Sequence, residues 1–212
     1  MAEYLDVYDA NKKYVGTADR NVVHTFGLWH KTVHCWVVVN IDDKPMLVFQ
    51  RRSRNLNDNA GKLYTTASGH VSANETLESA FKREITEEIG LPITSLNPKH
   101  LYETVWIADI KRKDGSLFID RVFCNVYYSA YNGRLSDFKF EDGEVDGLVA
   151  VDLKDIIEFL NYRIKSVSGI EFNGTSISNV VLSSDDFVIN DGETLQGKYG
   201  RIADLVYADL KL

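Results

Sequence analysis

The sequence predicts an α/β (α+β) protein in which a mixed β-sheet is covered by helices. Three observations lead to this prediction. A strand pair spans 32–53, a longer strand pair spans 100–131, and an amphipathic helical segment lies between them. A second helical segment follows at 151–164.

The strands are predicted from alternating or β-branched-rich runs separated by turn residues. Residues 4–9 alternate polar and apolar side chains and lead into a polar turn. The 32–53 segment has two apolar runs separated by Asp-Asp-Lys-Pro, which is the pattern of a β-hairpin. The 100–131 segment repeats this pattern at greater length and turns at Asp114 and Gly115.

The helix between the two strand pairs is predicted from apolar residues at helical spacing, namely Leu77, Ala80, Phe81 and Ile85. Asn74 or Thr76 can cap its start. Gly90, followed by Pro92, ends it.

The last third of the chain is predicted from a second helical pattern and a change in composition. The helical positions at 151–164 are Ile156, Ile157, Leu160 and Ile164. Residues 165–212 begin as a Ser-, Asn- and Asp-rich stretch and end in a possible helix at 200–212. We therefore predict a domain at 1–164, which includes the N-terminal strand, and an extension at 165–212 packed on it.

Composition and charge exclude some classes of protein. The hydrophobic fraction is 44%, the charged fraction is 26% and the formal net charge is -7. A general nucleic-acid binder normally has a basic surface, so we expect no nucleic-acid partner. The sequence has no signal-peptide pattern and no membrane-length apolar run, so we predict a cytoplasmic protein with no membrane partner. Cys35 and Cys124 lie in strand-like runs and are expected to be reduced core thiols.

Three carboxylates crowd the end of the predicted helix, at Glu84, Glu87 and Glu88. Successive helical residues rotate by about 100°, so the three project from one face within about 100°. Such neighbours repel and raise one another's pKa unless a cation lies between them. Oxygen ligands suit Mg²⁺ or Mn²⁺, and the alternative is a solvated acidic helix face.

The segment 69–91 resembles the Nudix box in full. The matching positions are Gly69, Glu75, Arg83, Glu84, Ile85, Glu87, Glu88, Gly90 and Leu91. The resemblance implies a mixed sheet between helices, with the box forming a loop, a helix and a loop. It also implies that Glu84, Glu87 and Glu88 bind Mg²⁺ or Mn²⁺ and that the protein hydrolyses a pyrophosphate bond of an organic diphosphate.

The resemblance further implies a catalytic set of Arg83, Glu87, Glu88 and Glu144. Within this set, Arg83 is expected to join Glu75 in holding the loop and the helix together. The general base is left open between Glu87 and a loop glutamate, either Glu141 or Glu144. Bound cations would neutralise charge on the phosphoryl oxygens and acidify a bound water.

The histidines add a resemblance to one branch of the family, the isopentenyl diphosphate isomerases. His24-Thr25, His30 and Gly69-His70 are similar to that branch, whose histidines hold a divalent metal. Ser68 replaces its catalytic Cys, and a hydroxyl has too high a pKa to replace a thiol in proton transfer. The late Glu-x-Glu of the branch aligns with Ile119 and Arg121. We therefore predict isomerase-like architecture with hydrolase chemistry.

The histidines also have a structural interpretation. In that interpretation, His24 and His30 lie on a surface loop and His34 is a core or edge residue of a strand. Whether His24, His30, His34 and His70 form a second metal site is left open. The segment 192–199 nearly matches a phosphate-binding P-loop, but Tyr199 replaces the required Ser or Thr, so we interpret it as a turn.

Three functions are weighed. A hydrolase of a small-molecule diphosphate is favoured over an isomerase of allylic diphosphates and over a non-catalytic ligand-binding domain. Candidate substrate-binding residues are Arg51, Arg52 and His70, since an arginine can bind a phosphate with two hydrogen bonds. A homodimer is plausible because dimers are common among similar proteins.

Overall fold

The computed structural model describes residues 2–57, 59–112, 114–140, 143–189 and 193–211. Eleven strands are described, and they are β1 Tyr4–Tyr8, β2 Tyr14–Asp19, β3 His30–Ile41, β4 Lys44–Arg52, β5 Leu63–Tyr64, β6 Ala67–His70, β7 Lys99–Lys111, β8 Leu117–Tyr131, β9 Val145–Asp152, β10 Val167–Phe172 and β11 Ile177–Leu182. The α-helices are α1 Arg20–Phe26, α2 Leu77–Ile89, α3 Leu153–Leu160 and α4 Arg201–Asp209.

Most strands belong to one sheet of nine strands among the described residues, with β1 and β2 forming a separate hairpin. The order is β11-β10-β9-β4-β3-β8-β7, and β5 and β6 pair with β4 and β3. β3 and β8 run parallel, while their other neighbours are antiparallel. The predicted mixed sheet is therefore confirmed.

The sheet is buried on both faces. Trp36 and Val38 of β3 pack with residues of α3 and α4. The intervening Cys35 and Val37 point to the opposite face and pack with Phe81 of α2. Because side chains of a strand alternate between faces, β3 contributes to the apolar layers on both faces of the sheet. Its sequence is therefore a continuous apolar run.

Both predicted hairpins form. Asp42 and Asp43 make the two-residue turn between β3 and β4 with φ angles of 50° and 60°. Positive φ at both positions is the requirement of a type I′ turn, which Asp tolerates better than most residues. β7 and β8 pair from Lys111 and Leu117 outward, around the predicted Asp114–Gly115 turn. Cys35 and Cys124 are buried free thiols, as predicted.

The ends of α2 follow from its capping residues. The Thr76 hydroxyl accepts a hydrogen bond from the amide of Ser79, so Thr76 rather than Asn74 is the N-cap. Gly90 ends the helix in the left-handed conformation with φ 64°. The helix consequently spans the segment that carries the three carboxylates.

Several sequence expectations are corrected by the fold. α3 ends at Leu160, and Ile164 lies beyond it with 39% of its surface exposed. The polar appearance of the chain after 165 concealed two strands, β10 and β11, because each has only six residues and polar residues fill the turn between them and the stretch after them. The short helix α1 was also missed, since its seven residues are too few to show a clear period.

Residues of the predicted extension contribute to the core beside α3. Phe187, Tyr199 and Val206 are buried there against Phe49 of β4. The hydroxyl of Tyr199 donates a hydrogen bond of 2.8 Å to the carbonyl of Val188. The division into a domain at 1–164 and an extension at 165–212 stays a prediction, and the packing of these residues supports its second part.

Candidate active site

The carboxylates of α2 face a large cavity, which we call the main cavity. Its volume is about 850 Å³, and Glu84, Glu87 and Glu88 all line it. Glu84 and Glu88 are buried, whereas the side chain of Glu87 is 56% exposed. The helical geometry predicted from the sequence thus brings the three acids to one wall.

Glu88 is held from two neighbouring strands. Its Oε2 accepts a hydrogen bond of 3.0 Å from the amide of Ser68 on β6. The same oxygen accepts one of 3.2 Å from Nε2 of Gln50 on β4. A carboxylate fixed by such donors keeps its orientation toward the cavity when other groups move.

Glu84 lies against the backbone of Gly69 at the end of β6. A Cβ at Gly69 would overlap the Glu84 carboxylate where it now lies, so any larger residue there would displace that carboxylate. Burial raises the pKa of Glu84, and the guanidinium of Arg83 opposes that shift. A bound cation would oppose it further, because opposite charge favours the ionised carboxylate.

Arg83 joins the helix to the loop that precedes it. Its Nη2 donates to the carbonyl of His70 and to Oε2 of Glu75, each at 2.9 Å. Its Nη1 donates to Glu84 at 2.6 Å and to Glu87 at 3.1 Å. The guanidinium therefore contacts both acids and the loop, in the arrangement that was expected for Arg83 and Glu75.

The donor set at this wall fits a hard divalent cation. It consists of carboxylate oxygens, which are the ligands that Mg²⁺ and Mn²⁺ prefer. The space that Gly69 leaves for the Glu84 carboxylate is a second reason, because Glu84 then lines the same cavity as Glu87 and Glu88. Glu84, Glu87 and Glu88 are thus the residues that could hold the metal.

The two strand arginines have different surroundings. Arg52 lines the main cavity together with Glu144 and His70. Arg51 points away: its Nε pairs with Glu171 and its Nη1 donates to the carbonyl of Gly61 at 3.0 Å. The alternation of side chains along β4 separates the neighbours in this way. Glu141, the other candidate loop base, lies outside the described residues.

Three histidines come together at the edge of the main cavity. His24, His30 and His70 each offer one ring nitrogen, and these atoms lie within 4.8 Å of one another. His24 and His30 are buried at 4% and 0% exposure, so the expectation of a surface loop was wrong. The helix α1 and the start of β3 carry them inward.

Asp120 completes this histidine cluster. Its Oδ1 lies 3.6 Å from Nδ1 of His24 and 3.5 Å from Nε2 of His30. Nδ1 of His30 donates to the carbonyl of Leu28 at 3.0 Å, which leaves Nε2 as an acceptor facing Asp120. Burial raises the pKa of Asp120 to about 6 and lowers the pKa of His30 to about 4.

The cluster has the donors of a transition-metal site. Within the described part of the chain, Nδ1 of His24, Nε2 of His30 and Oδ1 of Asp120 are buried without a hydrogen-bond partner. Imidazole and carboxylate donors at this spacing suit Zn²⁺ or Mn²⁺. His34 is not part of it, since it contacts Tyr64 and Trp106 instead.

Sequence reasoning missed Asp120 and Lys198. The isomerase pattern drew attention to Ile119 and Arg121, although Asp120 between them is the residue that faces the histidines. Alternation along β8 was the available signal, because neighbouring strand residues point to opposite faces. Lys198 lines the main cavity from the far end of the chain, and no local pattern indicated this.

Comparison with known proteins gives a family that agrees with the fold and the site described above. The NUDIX domain model matches residues 28–168. An uncharacterized Nudix hydrolase of Clostridium acetobutylicum is 32% identical over 193 residues, which cover 88% of this chain and 90% of that protein. The isopentenyl-diphosphate Delta-isomerase 2 of Aromatoleum aromaticum is 25% identical over 134 residues, covering 63% of this chain and 66% of that protein.

Among solved structures, a Deinococcus radiodurans protein has the same fold. The TM-score is 0.56 at 19% sequence identity, with 76% of this chain and 90% of that chain covered. The chain therefore belongs to the Nudix family, whose hydrolases act on pyrophosphate bonds and generally need a divalent metal. Among the described residues, no helix has the length and apolar character needed to cross a membrane.

Proposed function

We propose that this protein hydrolyses the pyrophosphate bond of a small organic diphosphate in a reaction that depends on Mg²⁺ or Mn²⁺. The observation that carries the proposal is the wall of Glu84, Glu87 and Glu88 facing a cavity of about 850 Å³. Two of these acids are buried, and a buried carboxylate group is expensive unless it is paired with a cation or with donors.

The two buried acids each have a defined part in this proposal. Glu88, held by Ser68 and Gln50, presents its carboxylate in one orientation. Glu84, fitted against Gly69, presents a second carboxylate to the same cavity. The bound cation would supply neutralisation of the phosphoryl oxygens and a more acidic water.

Arg83 is a positioning residue in this scheme. Its contacts with Glu75 and the His70 carbonyl tie α2 to the segment that connects β6 to the helix. Its contacts with Glu84 and Glu87 restrain the acids in the same framework. Preorganised groups of this kind lower the cost of arranging charge around a reacting phosphate.

The general base is one of three candidates, Glu87, Glu144 and Glu141, of which the first two lie within the described residues. Both line the main cavity and both are exposed to water, which is where the attacking molecule would enter. A candidate base has to reach the proton it removes in a plausible substrate position. Separate Glu87→Gln and Glu144→Gln variants, compared by the pH dependence of kcat, distinguish the two.

Substrate phosphates would meet positive charge on the opposite side of the site. Arg52 lines the main cavity, and its planar guanidinium suits two hydrogen bonds to a phosphate. His70, the last residue of β6, also lines the main cavity. Arg51 is the weaker candidate because Glu171 already contacts it away from the cavity.

The experiment is a panel of organic diphosphates screened for turnover with Mg²⁺ and Mn²⁺. The panel contains nucleotide sugars, dinucleotides, coenzyme A derivatives and isoprenoid diphosphates. We expect metal-dependent release of phosphate-containing products from at least one class. Ligand protection against thermal unfolding without any product would instead favour the non-catalytic alternative.

The isomerase alternative is tested with isopentenyl diphosphate. Ser68 lies on β6 next to Gly69, at the position of the thiol in the isomerase pattern. We expect no isomerisation by the native protein, since a serine hydroxyl is a poor proton donor at neutral pH. The Ser68→Cys variant is the matched test of whether the missing thiol is the reason.

The expectations of a homodimer and of a cytoplasmic location stay predictions. Sedimentation equilibrium of the purified protein tests the first, and imaging of a tagged full-length chain tests the second. The proposed ligand is a small-molecule diphosphate, with no nucleic-acid or membrane partner.

A further inference from the structure

The segment whose likeness to a P-loop was rejected lies beside the active site. Its described part, residues 193–199, includes Lys198, which lines the main cavity. Lys198 belongs to a π-helical turn, Gln196–Gly200, that continues directly into α4. Single π-helical turns occur frequently at functional sites.

Tyr199 fixes the direction in which Lys198 points. Its ring is 1% exposed and contacts Trp36, Phe49 and Phe187. Its hydroxyl donates to the carbonyl of Val188. Because this anchor cannot rotate without opening the core, the turn holds Lys198 on the side that faces the cavity.

The ammonium group of Lys198 is buried in polar and aromatic surroundings. Its side chain is 2% exposed, and Nζ lies 3.0 Å from Oε2 of Glu193. Nζ is also 4.1 Å from the centre of the Trp106 ring and 5.4 Å from that of Tyr64. Burial lowers the pKa of Lys198 to about 8, against the opposing effect of Glu193.

A second cavity adjoins the main cavity at Lys198, and we call it the aromatic cavity. Its volume is about 460 Å³, and Trp36, Tyr64, Tyr102 and Trp106 line it. Lys198, Tyr64 and Trp106 line both cavities, so they form the boundary between them. The organic part of a substrate could therefore lie in the aromatic cavity while its phosphates lie in the main cavity.

A purely structural ion pair does not account for this arrangement. Lys198 and Glu193 are five residues apart in one segment, and an exposed pair would serve that segment equally well. Desolvating an ammonium group is costly, and buried charges with perturbed pKa values cluster at ligand sites. The cation also lies at the boundary where a diphosphate would join its organic group.

We propose that Lys198 binds a substrate phosphate and that the aromatic cavity accepts a planar aromatic ring on the same substrate. The C-terminal segment then selects the substrate, while the Nudix box performs the reaction. Aromatic walls with Glu193 and Lys198 at their edge favour a flat ring bearing polar atoms over a flexible hydrocarbon chain. This inference rests on the hydrolysis proposed above.

Steady-state kinetics with two probes, ADP-ribose and geranyl diphosphate, test the inference. The Lys198→Met variant keeps the length of the side chain and removes its charge. We expect its KM for ADP-ribose to rise about tenfold or more with kcat nearly unchanged, because a charge-assisted hydrogen bond is lost. Trp106→Leu is expected to raise KM for ADP-ribose more than for geranyl diphosphate.

The matched control is Lys82→Met, which removes a lysine charge from the exposed face of α2, where Lys82 pairs with Glu78. Thermal unfolding checks that each variant is folded, and Lys198→Gln replaces Lys198→Met if the latter is not. Unchanged KM in the folded Lys198 variant overturns the role of Lys198. A larger effect of Trp106→Leu on geranyl diphosphate overturns the aromatic-ring assignment.

A binding measurement separates this inference from the proposed function. Calorimetric titration with α,β-methylene-ADP, which has a non-hydrolysable bridge, requires no turnover. Weaker binding to the Lys198→Met variant than to the native protein supports the inference even if no diphosphate in the panel is hydrolysed. Equal affinities overturn it even if hydrolysis is observed.

Discussion

The carboxylate of Glu84 lies where the side chain of residue 69 would be if that residue were not glycine. A Cβ on Gly69 would overlap the Glu84 carboxylate, although the backbone of Gly69 is not in the left-handed region. The requirement for glycine at this position therefore comes from the acid across from it and not from the turn. This relationship links the first residue of the Nudix box to one of its proposed metal ligands.

Gly69→Ala should displace Glu84 and weaken metal-dependent turnover. We expect a loss of activity of about tenfold to 100-fold, the range seen when groups supporting a metal ligand are disturbed. Enzyme activity measured over a range of Mg²⁺ concentrations tests this loss. Ser68→Ala is the control, because it adds no volume and keeps the hydrogen bond from the backbone amide of residue 68 to Glu88. Full activity of Gly69→Ala would show that the Glu84 carboxylate can move without effect.

Glu88→Gln should abolish most metal-dependent turnover and leave the fold intact. The amide keeps the size of the side chain but removes a negative charge from the cradle, so we expect a loss of about 100-fold or more. Glu84→Gln should behave similarly. Glu78→Gln is the control, since Glu78 is 74% exposed on the same helix and pairs with Lys82. Native kinetics in Glu88→Gln would contradict the proposed metal site.

Arg83→Lys should raise the Mg²⁺ requirement more than it lowers kcat. Lysine cannot reproduce contacts to Glu75, the His70 carbonyl and Glu84 at once, because its ammonium lacks the planar fork of arginine. We expect the half-saturating Mg²⁺ concentration to rise about tenfold to 100-fold. Saturating metal should restore most of the activity. An unchanged metal requirement, with Lys82→Arg as the control for a surface position, would argue that Arg83 does not position the acids.

Acidification should destabilise the protein through His34, which is half-buried on β3. Burial, with a smaller effect of Lys198, lowers the pKa of His34 from its ordinary 6.5 to about 3. Since the unfolded chain takes up the proton first, the stability contributed above about pH 6.5 is lost as the pH falls toward 3. Urea unfolding at a series of pH values measures this loss.

The His34→Gln variant tests whether His34 causes this loss of stability at low pH. It should lose less stability than the native protein between neutral pH and about pH 5, because glutamine does not titrate. His100→Gln, at an exposed position, is the control. Equal losses in the native protein and in His34→Gln would mean that His34 is not held neutral by its surroundings.

Local sequence patterns were sufficient to predict much of the fold. The helix α2 and its end at Gly90 depend on spacing and capping within one segment, and both were predicted. The two hairpins depend on alternation and on turn residues, which are also local. The missed strands β10 and β11 show where this fails, because they are short and the stretches between and after them are rich in Ser, Asn and Asp.

The three acids that we propose as metal ligands are the part of the candidate site that the sequence could predict. Glu84, Glu87 and Glu88 share one face because a helix has a fixed rotation per residue, whatever it packs against. The choice between Arg51 and Arg52 was beyond the sequence, because neighbouring strand residues point to opposite faces and the buried face was unknown.

The acidic wall, the class of fold and the family therefore follow from patterns within short stretches of sequence. The meeting of His24, His30 and His70 with Asp120 depends on the tertiary fold, since these residues come from α1, β3, β6 and β8. The tertiary fold also brings Lys198, from the last helical segment, to the cavity that α2 lines. Contacts within a helix are encoded by short-range geometry, whereas contacts between distant segments depend on how the sheet orders its strands.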